Sequence, residues 1–358
     1  MAQTNYEWQQ LALTKTPLAA QIAEQCDLPP LLAQLLVHRG CTSLAEAQQF
    51  LKPQLQMIKE PTALHDMAPA VDRLMQAIEA GELITVYGDY DADGITSTAL
   101  MVETLETVGA NVNYYVPDRF KDGYGPNQAA YQRLIEAGTQ LILTVDNGVS
   151  GQEAIAYANA QGVDVVITDH HSLPAELPEA VAIVHPQYPG DEYPGGDLSG
   201  VGVAFKVAWA LLEEFPTELL DLVAIGEIAD VVSVAGENRA LIALGLQQLR
   251  LGARIGLHEL LALTNADEAH LTDQEVGFQL APRLNALGRL QDANQGVELL
   301  TTLDEDRAKQ LAQVVDDCNQ KRQALVQEVT AAALALAQSP AQKDQPVLLL
   351  VGHGWHQR

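Results

Sequence analysis

Cysteine is scarce, basic residues are far outnumbered by acidic ones, and no long apolar run exists. The three cysteines, Cys26, Cys41 and Cys318, are too few and too scattered for a disulfide framework or a zinc site. Their rarity points to a reducing compartment, so the expected location is cytoplasmic. No apolar stretch approaches the ~18 residues that a membrane span needs, so no membrane partner is expected. The opening M-A-Q-T-N-Y-E-W-Q-Q has neither the basic patch nor the apolar core of a secretory signal. Lysine and arginine number 20 against 47 aspartates and glutamates, a formal charge of −27. On charge alone a nucleic-acid partner is disfavoured, because phosphate contacts need cations. That exclusion is limited in two ways. Local patches outweigh the sum, and carboxylates that hold divalent cations attract phosphate through them.

What is present is a globular composition: 47% hydrophobic and 19% charged residues over a length of 358. A prior of roughly 150 residues per domain allows about two domains. Residues 1–80 read as a helical region. Residues 28–36 are apolar around Pro29-Pro30, and Thr42-Ser43 cap an amphipathic stretch that runs to Leu51. From Glu82 the texture changes. Strand-like runs at 83–87, 112–116, 141–145, 163–168 and 182–184 alternate with helical periodicity at 95–108, 129–137 and 152–160. Such alternation predicts an α/β fold with a doubly wound parallel sheet, here over 81–235. A helical extension follows at 236–303, a long connecting helix at 304–339, and a new strand at 347–351.

The informative residues follow the strands. Gly88-Asp89-Tyr90-Asp91-Ala92-Asp93-Gly94 follows the first, Asp146-Asn147-Gly148 the third and Asp169-His170-His171 the fourth. Ligands of open parallel sheets bind at the carboxyl ends of the strands, so three strands would deliver carboxylates and imidazoles to one edge. If the chain stays extended there, Asp89, Asp91 and Asp93 point the same way and need a cation to offset their repulsion. Taken singly, each motif has a plain reading. The acidic loop is solvated, Asn-Gly makes a turn, and the histidine pair is structural. Together they read as a divalent-metal site. Carboxylates with one or two imidazoles and no thiolate suit Mn²⁺ best and Mg²⁺ less well, with zinc a further option. Two ions need a bridging carboxylate and suit phosphodiester hydrolysis. Asp146, from the middle strand, is the natural bridge.

In this order D-Y-D-A-D-G, D-N-G and D-H-H resemble the signatures of the DHH phosphoesterases. Six longer segments resemble that family's bacterial single-strand-specific exonucleases. They are V-P-D-R-F-K-D-G-Y-G at 116–125, T-V-D-N-G at 144–148, T-D-H-H at 168–171, S-G-V-G-V-A-F-K at 199–206, A-I-G-E-I-A-D-V-V at 224–232 and A-P-R-L-N-A-L-G-R-L at 281–290. The resemblance runs from about residue 28 to nearly the last residue. It implies two ions, Mn²⁺ or Mg²⁺, held by Asp91, Asp93, Asp146, His170 and Asp230 with Asp89 close by. Spacing alone leaves Asp230 at the end of a helix with no role. The resemblance further implies a substrate-facing catalytic His171, Arg119 on the terminal 5′-phosphate and Arg289 on the scissile phosphate. Arg283 and Asn285, in the same segment as Arg289, join them as candidate phosphate contacts.

The implied reaction is metal-assisted, 5′-to-3′ hydrolysis of single-stranded DNA to 5′-mononucleotides in DNA repair and recombination. A helicase and a single-strand-binding protein are the candidate partners. Members of the family continue through a second lobe, DHHA1, and commonly an OB-fold. Residues 340–358 would be the start of a truncated DHHA1 lobe, matching as far as G-W-H-Q at 354–357. Three rival readings follow from the same residues. One is an aspartyl-phosphate phosphatase of the haloacid-dehalogenase type, suggested by D-A-D-G-I-T at 91–96, although no lysine lies between Lys121 and Lys206. Another is a nanoRNA or cyclic-dinucleotide phosphodiesterase of the same superfamily. The third is a catalytically silent scaffold.

Overall fold

The computed structural model describes residues 16–339, 347–352, 354 and 355. Contacts divide the chain into two compact units, Met1–Met57 and Ile58–Arg358. In the first, α1 (Pro17–Gln25) starts at Thr16, whose hydroxyl accepts from the amide of Ala19 at 3.1 Å. With α2 (Pro30–His38) and α3 (Leu44–Leu51) it closes over Ile22, Ala33, Leu36, Cys41 and Ala47.

The second unit opens with α4 (Met67–Ala80) and then alternates. Its elements are β1 (Leu83–Tyr87), α5 (Ala92–Thr107), β2 (Asn111–Tyr115), α6 (Gln128–Glu136), β3 (Leu141–Val145), α7 (Gln152–Ala160), β4 (Asp164–Thr168) and β5 (Ala182–Val184). All five strands are parallel in the order β2-β1-β3-β4-β5, as the alternation predicts. The order reverses between β1 and β3, the topological switch point where ligands of such sheets bind. Side chains alternate across the sheet. Tyr87, Ile142, Val165 and Ile167 face Tyr131 of α6 and Ile155 and Ala158 of α7, in one buried cluster.

The opposite face is covered by α5 and by α8 (Gly200–Leu212). Nearly every residue of α5 between Ala92 and Leu105 is buried, as expected for a helix enclosed on all sides. Its other neighbours are α9 (Leu220–Ala229), α13 (Ala281–Leu290) and α14 (Asn294–Thr301). Between them the chain passes through α10 (Gly236–Leu249), α11 (Ile255–Ala262), the short α12 (Asp273–Glu275) and a π turn at Val276–Leu280. The last helix, α15 (Glu305–Ala337), is 33 residues long and N-capped by Asp304. It buries residues from Ala308 to Asn319 and none beyond.

Two expectations change. Apolar spacing starts the helix after β1 at Ile95, but α5 starts at Ala92. Asp91 caps it by accepting from Gly94 N, and Asn285 takes the orphan amide of Ala92 at 2.8 Å. The chain is therefore not extended through Asp93, and the shared parity of the three aspartates does not apply. The strand expected at 347–351 is not formed: Val347, Leu349 and Val351 have no ladder partner and are over 80% exposed. Residues 340–346 and the final His356 and Gln357 of the G-W-H-Q match lie outside the described residues.

Candidate metal centre

The three strand ends lie side by side because β1, β3 and β4 are neighbours. After β1, Asp89 is buried and its Oδ1 accepts from the amide of Tyr90 at 2.7 Å. Asp93, in the first turn of α5, turns inward rather than along the loop. Its two oxygens accept from Gly200 N at 2.7 Å and Val201 N at 2.9 Å, the first amides of α8. A helix N-terminus favours an anion there.

After β3, Asp146 is buried and has a left-handed backbone, φ +61°. Aspartate tolerates that region better than most residues, yet the conformation is strained enough to need support. Asn147 supplies it. Its Nδ2 donates to the carbonyls of Tyr87 at 3.3 Å and Val145 at 2.9 Å, while Thr144 Oγ1 donates to its carbonyl at 2.7 Å. Gly200 presses against this turn: a Cβ there would lie 2.4 Å from both Cβ and Oδ1 of Asp146. Gly200→Ala is therefore expected to displace Asp146. Calorimetric titration with Mn²⁺ should show at least the ~10-fold loss of affinity typical of disturbing a ligand's support.

After β4, Asp169 organises both histidines. Its carboxylate accepts from His170 N at 2.7 Å, His171 N at 3.0 Å, His171 Nδ1 at 2.8 Å and Val149 N at 3.0 Å. Since a carboxylate only accepts, Nδ1 of His171 carries a proton. The Asp169 bond raises the His171 pKa to about 9. Burial opposes the charge on Asp169, but its bonds to His171 and the amides outweigh burial and hold it below the usual range. His171 Nε2 meets the hydroxyl of Tyr124 at 2.8 Å. His185 anchors the loop from below, with Nε2 against the carbonyl of His171 at 2.9 Å.

Asp230, at the C-terminal end of α9, completes the ring, with its Oδ2 3.7 Å from His170 Nδ1. Three ligand groups result, each with donor atoms within 4.8 Å of one another: Asp89, Asp91 and Asp146; Asp146, His170 and His171; Asp93, His170 and Asp230. Asp146 and His170 each belong to two groups. Burial, compounded by Asp91, raises Asp89 to about 7. Burial raises Asp93 to about 6 even though His170 opposes it. Asp146 is pushed well above the usual carboxylate range by burial and by Asp93, Asp91 and Asp89. Asp230 is raised as well, chiefly by burial. Asp146 Oδ1 has no hydrogen-bond donor although it is buried. Its contact with His170 Nε2, at 3.0 Å, lacks hydrogen-bond geometry and has the spacing of two ligands converging on one ion. A buried unpaired oxygen among crowded carboxylates is costly without a cation. The donor set, oxygens and imidazoles without thiolate, fits Mn²⁺ or Mg²⁺.

Beside the acidic ring lies a basic group. The Arg119 guanidinium sits 5.4 Å from the centre of the Tyr90 ring. Arg289 on α13 is lowered from its ordinary value by burial and by the charges of Arg119 and Arg322, so three guanidiniums are near neighbours. Among the described residues, none of the three makes an ion pair with a carboxylate; Arg322 bonds only to Asn319 Oδ1, at 2.9 and 3.1 Å.

Arg283 does not join this group. Asp316 on α15 holds it at 2.8 Å and the Gln279 carbonyl at 2.8 Å, so it ties two helices together. The Oδ1 of Asn285 accepts from the Ala92 amide, which makes Asn285 a support of the Asp91 loop; its Nδ2 is the donor that a phosphate contact would use. The sequence places Asp169 in a strand-end cluster without giving it a role of its own, and it gives none to Tyr124 or Arg322. The first two stand inside conspicuous motifs, D-H-H and D-G-Y-G, where they signal turns as readily as chemistry. Arg322 carries no local signal at all.

The family model described as the DHH family, N-terminal domain, matches residues 83–227. A crystal structure of exonuclease RecJ bound to manganese superposes with a TM-score of 0.73 and 34% identity, over 80% of this chain and 72% of that one. This chain belongs to the RecJ branch of the DHH family. RecJ of Thermus thermophilus in complex with Mn²⁺ superposes with a TM-score of 0.79 and 32% identity, over 91% of this chain and 47% of that one. The single-stranded-DNA-specific exonuclease RecJ of Bacillus subtilis is 46% identical over 335 residues, 94% of this chain and 42% of the relative. The chain spans 42% of that relative and 60% of RecJ from Salmonella typhimurium.

Proposed function

We propose that this chain carries the metal centre of a 5′-to-3′ exonuclease that degrades single-stranded DNA to 5′-mononucleotides in DNA repair and recombination. The observation that carries this reading is the buried, donor-less Oδ1 of Asp146, shared between ligand groups. The protein's −27 charge then poses no obstacle, because the phosphate meets the arginine group rather than the average surface. Asp89, Asp91, Asp93, Asp146, His170 and Asp230 are the residues that would hold two divalent cations. Bound there, such cations supply Lewis acidity towards a phosphodiester and a water nucleophile at neutral pH.

The chain's own residues do the rest. Arg289, already costly to bury, becomes favourable when a phosphate oxygen neutralises it, and its planar fork matches two such oxygens. Arg119, held over Tyr90, receives the terminal phosphate. Asp169 keeps a proton on His171 Nδ1, leaving Nε2 and the Tyr124 hydroxyl to face the substrate. A helicase to open duplexes and a single-strand-binding protein are the partners this activity calls for, in the cytoplasm. No described helix is long and apolar enough to cross a membrane.

The test is hydrolysis of 5′-phosphorylated, end-labelled single strands with Mn²⁺. Mononucleotides should be released, chelator should stop the reaction, and duplex should be spared. Arg289→Ala should lower kcat by about 10²–10³, the usual cost of one contact to developing charge, with Mn²⁺ affinity unchanged. Hydrolysis that persists in excess chelator would overturn the reading.

A further inference from the structure

On α9, one turn before Asp230, lies a carboxyl group that the metal centre does not use. Glu227 is fully buried. Its Oε1 accepts from the amide of Ser199 at 3.3 Å and from the Ser199 hydroxyl at 3.1 Å, while its Oε2 has no partner. Ser199 is the N-cap of α8, and its Oγ accepts from Gly202 N at 3.2 Å. The next two amides, Gly200 and Val201, are those that hold Asp93. The amides from 199 to 202 thus go in turn to Glu227, to Asp93 twice, and to the cap that Glu227 itself holds. The two acids grip one helix terminus. Gly202 admits the carboxyl by lacking a side chain: a Cβ there would lie 2.3 Å from Oε1.

We propose that Glu227 is a positioning residue, which fixes the first turn of α8 and through it the carboxylate of Asp93. The proposal rests on Asp93 being a metal ligand. An apolar side chain would fill this interior without stranding a polar oxygen, so packing alone does not account for an acid here. A cap serine has freedom to rotate, and its hydroxyl proton must go somewhere. Oε1 fixes that rotamer and leaves the lone pair of Oγ towards Gly202 N. With the cap locked, the amides of Gly200 and Val201 point at one place, and Asp93 has one place to be. Groups that orient metal ligands in this way are typically worth about 10–100-fold in metal affinity. Burial and the nearby Asp93 charge raise the Glu227 pKa, and glutamine keeps the oxygen that accepts from Ser199.

Mn²⁺ titration of the full chain by calorimetry tests this, with Glu227→Gln, Glu227→Ala and Ser199→Ala beside the unaltered protein. Unfolding in chelator is measured in parallel to separate lost stability from lost affinity. Glu227→Ala should weaken Mn²⁺ binding by roughly 10–100-fold, most at the equivalent that Asp93 holds and less at the other, where Gly200 of the same turn lies against the shared Asp146. Glu227→Gln, which keeps an oxygen at the Oε1 position, should restore both affinities. Ser199→Ala leaves the helix in place but cuts the hydroxyl link. It should weaken the same equivalent, and it carries the test if Glu227→Ala does not fold. The proposal is overturned if the alanine variants bind both ions normally, or if glutamine fails to rescue. If the unaltered chain binds no Mn²⁺, the metal-centre reading fails instead.

Discussion

Asp146→Ala is expected to abolish Mn²⁺ binding at both positions and the proposed nuclease activity with it. The carboxylate lies between the Asp89–Asp91 side and the His170–His171 side, and it belongs to a ligand group on each. Loss of a single transition-state contact costs about 10²–10³ in rate, and removal of the shared ligand should exceed that. Calorimetric titration with Mn²⁺ measures the effect on binding, and unchanged stoichiometry would remove Asp146 from the bridging role. A companion variant separates binding from folding. Asp146→Asn keeps the size of the side chain, and asparagine tolerates the left-handed backbone at φ +61°. It removes a buried charge that has no hydrogen-bond donor on Oδ1. In chelator, the asparagine variant should therefore melt higher than the unaltered protein. That sign is unusual for a buried substitution and characteristic of sites whose strain serves function.

Much of this centre is legible from local pattern. Three strands of the right length each end in a polar cluster, and a parallel sheet puts those ends on one edge. Apolar spacing alone locates β3, α7 and β5 with their observed bounds. The direction of each side chain is less legible. Asp93 lies inside a helix because Asp91 and Asn285 together start α5 three residues earlier than apolar spacing suggests. Asn285 is nearly two hundred residues away, so no window around the D-x-D motif contains the cause. Asp230 is silent in the same sense. The periodicity of α9 says only that the helix is buried, and its terminal aspartate matters because α9 packs against α5. Arg283 and Arg289 look equivalent in sequence, on one helix six residues apart. They differ because α15 offers Asp316 to the first and Arg322 to the second.

Stability of the metal-free protein should fall as pH rises, and Mn²⁺ should offset that fall. Asp89 and Asp93 bind protons more tightly in the folded chain than in the unfolded one, with pKa values of about 7 and about 6 against 3.8. A carboxyl raised in this way contributes its full stability below about pH 4. It loses that contribution as pH climbs through the folded value. For Asp89 alone the linked energy is on the order of 4 kcal/mol. Asp146 and Asp230, also raised, act with the same sign. His171, raised from 6.5 to about 9 by Asp169, adds a loss of the same sign at higher pH. Between pH 5 and pH 9 the chelated protein should therefore lose stability steadily. A cation substitutes for the missing protons. Its stabilisation follows RT ln(1 + [L]/Kd), about 2.7 kcal/mol per site at a hundredfold excess over Kd. Because protons compete with metal for the same oxygens, Kd itself tightens as pH rises. The gap in melting temperature between saturating Mn²⁺ and chelator should thus be small at pH 5 and widen through pH 8. Calorimetric melts at matched ionic strength measure both curves. A gap that stays constant with pH, or a chelated protein that gains stability between pH 5 and 8, would mean that these carboxylates are not crowded around an ion position at all.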